Sequence, residues 1–126
     1  MLAPKVHTSV VPHESEDSFC ADLADLSGGP LAALRSAKAA GTTPARTAAV
    51  FAEAASRMEA MQPPSELASD WLTAVEAMNY FGDCVQSVQR RSEATDELVR
   101  RYTDSFNRVT SHAVTHCGMT AVHLFP

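Results

Sequence analysis

The chain has 126 residues, 45% of them apolar and 20% charged, which suits one globular domain and excludes a disordered polyelectrolyte. Ten Lys and Arg against fifteen Asp and Glu leave a net charge of −5, the wrong sign for a general nucleic-acid binder. Apolar runs fall short of the roughly 18–20 residues that cross a bilayer, so no transmembrane segment is expected.

Residues 1–15, MLAPKVHTSVVPHES, lack the apolar stretch of a secretory signal and carry no helical period; they predict a flexible arm. Helical periodicity starts near Glu16 and continues to Ala40, with Phe19, Leu23, Leu26, Leu31 and Leu34 on one side. Gly28-Gly29-Pro30 predicts a break in this first helix, since glycine ends a turn and proline opens one. Gly41 closes it, and Thr43-Pro44 supplies the cap and first turn of a second helix. That helix, Thr43 to Met61, aligns Val50, Phe51, Ala54, Met58 and Met61 and stops at Gln62-Pro63-Pro64.

Ser65 is expected to cap a third helix bearing Leu67, Trp71, Val75, Met78, Phe81, Val85 and Val88 at steps of three and four. The stretch Gln89 to Glu97 has no large apolar residue and predicts a reversal near Arg91-Ser92. A fourth helix, Glu93 to Cys117, repeats the pattern at Leu98, Tyr102, Phe106, Val109, Ala113 and Cys117. Strand signals are nearly absent. The expectation is an all-α, antiparallel, up-down-up-down four-helix bundle over residues 16–117, followed by a C-terminal tail, 118–126, whose Leu124 and Phe125 either dock or stay loose.

This topology orders the three cysteines. Cys20 near the start of the first helix and Cys117 at the end of the fourth fall at one end of neighbouring helices. Cys84, about 19 residues into the third, lies some 28 Å away along the axis at 1.5 Å per residue, beyond the ~7 Å Cα separation a disulfide tolerates. A Cys20–Cys117 disulfide with Cys84 as a free, partly buried thiol is therefore expected. Closing so long a loop contributes about 4–5 kcal/mol in the chain-entropy model. Such a bond persists outside a reducing cytosol; the alternative is small core thiols in a cytoplasmic protein.

The segments Phe19-Cys20-Ala21-Asp22-Leu23, Pro63-Pro64-Ser65-Glu66-Leu67 and His116-Cys117-Gly118-Met119 resemble small exported or lipoprotein-type helical domains of actinobacteria. In that group a first-helix cysteine and a terminal Cys-Gly bracket the domain. The resemblance covers residues 19–119 and implies an extracytoplasmic, secreted fold. It carries no established reaction, so it assigns no catalytic residue. Cys84 and the lack of a signal and lipobox depart from the pattern.

His112 and His116 stand one helical turn apart, a spacing that chelates zinc or copper with Cys117 and Cys20 as further donors. A solvated histidine pair at a helix C-terminus explains the same residues. Arg90, Arg91, Arg100, Arg101 and Arg108 make up half of the basic residues, interleaved with Glu93, Asp96, Glu97 and Asp104. Pairing of Arg100 and Arg101 with Asp96 and Glu97 predicts a solvated helical face rather than an anion site. Nucleophile-elbow, phosphate-loop and dinucleotide motifs are not present. The leading expectation is a non-catalytic extracytoplasmic domain, without a cofactor, that binds a protein or small ligand. A metal-binding bundle and a small enzyme with a core site are the alternatives.

Overall fold

A computed structural model describes residues 17–120 and 124–125, and within them every regular element is a helix. The first stretch, α1, covers 17–28; α2 is Pro30–Ala40 and α3 Pro44–Glu59. A 3₁₀ turn, Ser65–Leu67, leads into α4, Ala68–Gln86; α5 is Val88–Ser92 and α6 Asp96–Cys117. The expected arm over 1–15 and the helix start at Glu16 lie outside the described residues, as do 121–123 and 126 of the tail.

The first helix is bent between Gly28 and Pro30, where sequence chemistry places the break. Gly29 leaves helical geometry at φ −108°, ψ −99°, and Pro30 takes the first position of α2. A Cβ on Gly29 would lie 3.0 Å from the Asp25 carbonyl oxygen, so the bend favours glycine. The end of α2 is set by Gly41 in the left-handed region (φ 66°), and Thr43 accepts the Arg46 N–H at 3.3 Å to start α3.

The core is built from the predicted apolar lines. Phe19, Leu23, Leu26, Leu31, Leu34, Phe51, Ala54, Met58, Met61, Trp71, Val75, Met78, Tyr102, Phe106, Val109 and Ala113 are all buried. Helix α4 is central, packing on α3, on α6 and on the short α5. Two contacts fix α3 against α4. The Trp71 indole N–H donates to the Met58 carbonyl at 2.9 Å, and a Cβ added to Gly82 would fall 2.9 Å from the Cβ of Phe51. No side chain larger than hydrogen fits there without moving the two backbones apart.

Several sequence expectations are corrected. Ser65 does not cap the third helix; it opens the 3₁₀ turn, and its neighbouring prolines delay α4 to Ala68. The third helix does not run to Arg91: it stops at Gln86 because Ser87 turns extended (φ −133°, ψ 113°) and its hydroxyl caps α5 through the Arg90 N–H. Val88, expected in the core, is consequently 71% exposed. The reversal falls at Glu93–Thr95, and the last helix starts at Asp96 rather than Glu93, with Thr95 accepting the Leu98 N–H at 3.0 Å. The described part of the tail is docked: Leu124 and Phe125 are buried, and Phe125 stacks on Phe106 with ring centres 4.4 Å apart. Arg35 donates to the Leu124 carbonyl at 3.4 Å and to Ser27 beside the bend at 3.2 Å.

Two glycines on helices therefore respond oppositely to alanine. Gly82→Ala lowers stability by about 1–3 kcal/mol through overpacking. Gly28→Ala, with nothing within 4 Å of the added carbon, is neutral or stabilising by up to about 1 kcal/mol. Denaturant unfolding of both variants measures the difference.

Candidate functional site

The chemistry-bearing residues fall into three regions. At one, α1 meets the end of α6: Cys20 and Cys117 are within disulfide-bonding distance, their Cα atoms 5.3 Å apart across 97 residues of sequence. Gly118, left-handed at φ 67°, ends α6 directly after the bond. His112 and His116 stack with ring centres 4.4 Å apart. They are not the solvated pair that helix spacing suggests. His112 is 6% exposed and meets the edge of Phe19, whereas His116 is exposed. The bond occupies both sulfurs expected as metal donors, and among the described residues no group of three His, Cys, Asp or Glu side chains is placed to hold a metal.

The second region is a polar row joining α4 to α6. Glu76 accepts from Arg101 at 2.6 Å and from the Tyr102 hydroxyl at 2.7 Å. Asp70 accepts from Arg108 at 2.7 Å and, more weakly, from Ser105 at 3.4 Å. The expected pairing of Arg101 within its own helix is thus replaced by a bond across to α4. Helix packing brings a carboxylate on α4 closer than those one turn away on α6, and the guanidinium also lies over the Tyr102 ring at 5.4 Å. Burial first, and then the Glu76 carboxylate, push the Tyr102 hydroxyl up to about 12. Tyr80, whose hydroxyl donates to the Arg90 carbonyl at 2.8 Å, is also raised, by burial first and by the neighbouring Cys84 thiol. Arg90 covers the Tyr80 ring at 4.8 Å between Glu93 at 3.0 Å and Asp83 at 3.5 Å. These contacts already neutralise the charges along this side.

The third region is a recess of ≈ 400 Å³ where the end of α2, the start of α3, the end of α4 and α5 converge. Its walls are Phe51, Phe81, Cys84 and Val85, with Lys38 and Arg91 at the sides. Phe51 is buried, while Phe81, Cys84 and Val85 are half-buried, so the apolar surface faces the opening. Cys84 carries a free thiol. Arg91 donates to the Cys84 carbonyl at 2.6 Å and so stands over the end of α4. The local cause is the Ser87 break: ending α4 at Gln86 leaves Val85 half-covered and swings α5 so that Arg91 reaches back.

No protein-family model matches the chain, and neither does any curated protein or solved structure. The site is therefore judged on its own chemistry. Of the residues singled out from sequence, Cys20 and Cys117 are brought together with the histidine pair beside them, and Cys84 stands among a different set of side chains. Arg91 stands out in sequence only as part of the arginine cluster and Lys38 not at all, because nothing in their local spacing announces that α2 and α5 end at one place. An isolated Lys in an alanine-rich last turn, together with the second arginine after the α4–α5 break, is the trace the sequence carries.

The polar row makes a pH prediction. Tyr102 ionises near 10 in an unfolded chain and near 12 here. Its contribution is fully present below pH 10 and is lost as pH rises towards about 12, because the unfolded chain releases the proton first. Urea unfolding of Tyr102→Phe should show about 1–2 kcal/mol less stability at pH 7 and a shallower loss than the native chain between pH 10 and 12.

Proposed function

We propose that this chain is a non-catalytic, extracytoplasmic binding domain whose apolar recess at Phe51, Phe81, Cys84 and Val85 receives a small ligand or a segment of a partner protein. The observation that carries the reading is the recess itself. Apolar walls of this extent, open and backed by a glycine-tight helix pair, match the ≈ 300–1,000 Å³ and mainly apolar lining of small-molecule sites. Location outside the cytoplasm is supported by the proximity of Cys20 and Cys117, since a bond between them survives only in an oxidising compartment. The bracketing cysteines also keep the likeness to exported actinobacterial helical domains as part of the proposal. Among the described residues no helix is long and apolar enough to cross a membrane.

The fold proposed to carry the site is the antiparallel up-down-up-down bundle, with α1 and α2 as one bent first member and α5 as an excursion between the last two. Support comes from contact order. Along α3 and α4, Met58 meets Trp71 and Phe51 meets Gly82. Along α4 and α6, Asp70 meets Arg108 and Glu76 meets Arg101. In both pairs, advancing along one helix means retreating along the other.

Three experiments test the reading. Thiol titration of the unfolded, unreduced protein should find one thiol, Cys84, and elemental analysis no stoichiometric metal; three thiols with bound zinc or copper would instead support the His112/His116 metal bundle. A solvatochromic hydrophobic dye should bind the folded protein at one equivalent and be lost on Val85→Glu, while binding indifferent to that change removes the recess as the site. Reduction, or Cys20→Ser, should lower stability by about 2–5 kcal/mol in denaturant unfolding.

A further inference from the structure

The recess differs from the rest of this acidic molecule in the charge beside its apolar walls. Lys38 lies in the last turn of α2 and Arg91 on α5, and no carboxylate is among the lining residues. The ion pairs seen among the described residues involve Arg90, Arg101 and Arg108; neither Lys38 nor Arg91 takes part in one. Arg91 uses one guanidinium N–H on the Cys84 carbonyl, and a guanidinium carries five. A contrasting recess of ≈ 480 Å³ is lined by Glu76, Asp83, Glu93, Arg90, Tyr80 and Tyr102, and there the cation is already matched by carboxylates.

Unmatched positive charge beside an apolar wall is complementary to one kind of molecule: an apolar body ending in an anion. The ends of α2 and α4 account for part of this charge, because cations there offset the negative pole of a helix. They do not account for both cations lining one recess with half-buried Phe81 and Val85. Val88, 71% exposed and one turn before Arg91 on α5, adds apolar area on the same helix.

Resting on the recess as the binding site, we propose that its ligand is a free amphipathic monoanion of the medium-chain alkyl carboxylate class. The chain lies on Phe51, Phe81 and Val85, and the head sits between Lys38 and Arg91. A cationic or uncharged molecule of the same length gains the apolar contact without the ionic one. A short carboxylate gains the ionic contact alone, which between exposed groups is too small to hold it.

Calorimetric titration of the full, oxidised chain with octanoate, decanoate, octanol, octylamine and acetate tests this, with protection of Cys84 from N-ethylmaleimide locating the bound molecule. Octanoate and decanoate are expected to bind at one equivalent and to slow alkylation. Affinity rises up to about fourfold per added methylene, octylamine binds more weakly than octanol, and acetate does not bind. Lys38→Gln and Arg91→Gln each weaken octanoate by up to about fivefold, the upper end of the range of exposed ion pairs, and leave octanol unchanged. Lys38→Gln makes the test without touching the Arg91 contact to α4. If octanol equals octanoate and neither substitution matters, the anion class is overturned while the recess stands as an apolar site. If nothing binds, the hydrophobic dye included, both readings fall. Cys84 protection that grows with protein concentration alone, accompanied by a doubled mass in sedimentation, would assign the recess to a second copy of this chain and also overturn the proposal.

Discussion

Helices α3 and α4 meet so closely at Gly82 and Phe51 that there is no space for even a methyl group between them, and much of the molecule follows from that approach. The Trp71–Met58 hydrogen bond holds the same two helices further along their interface, so the pair is fixed at two levels. With α3 and α4 fixed, α4 can present its remaining sides to α6 and α5, and the floor of the recess is rigid because Phe51 has no room to retreat. A fixed wall of this kind would lose little conformational freedom on contact with a ligand, which supports the proposed binding role.

The outer helices are held by different physics. The α4–α6 seam combines an aromatic cluster of Phe81, Tyr102 and Phe106 with charged groups that find partners across it. Exposed ion pairs of this kind contribute little energy singly. The Glu76–Tyr102 bond differs, because its hydroxyl is buried and must be satisfied. Such bonds select which rotation of α6 about its axis is native, whereas the apolar stripe alone tolerates several. The first helix, bent at Gly29, is joined to the end of α6 through sulfur rather than through charge.

Much of this was legible in the residues. Steps of three and four at Leu67, Trp71, Val75 and Met78, and at Tyr102, Phe106, Val109 and Ala113, name buried positions correctly because a helix has one period and one inward side. Gly29-Pro30, Gly41 and Thr43-Pro44 mark ends through backbone chemistry that acts locally. The break at Ser87 is hidden in the sequence for a physical reason. A serine flanked by Val85 and Val88 fits an uninterrupted apolar stripe, and its capping role depends on Tyr80 and Asp83 being positioned to receive Arg90. The same blindness hid the recess. Its residues come from four elements, and the apolar lining of Phe81 and Val85 looks identical in sequence to core that is fully covered. The arginines were legible as a cluster but not as partners of α4, since pairing across helices depends on their rotation.

The placement of the sulfur bridge has a mechanical meaning. It joins residue 20 to residue 117, so tension applied through the segments flanking those positions is carried by the covalent link and bypasses the helices between. A domain wired in this way is bypassed by a pull on its two flanks, and its recess keeps its shape under load. Once the link is reduced, the same pull is transmitted through the whole helical stack.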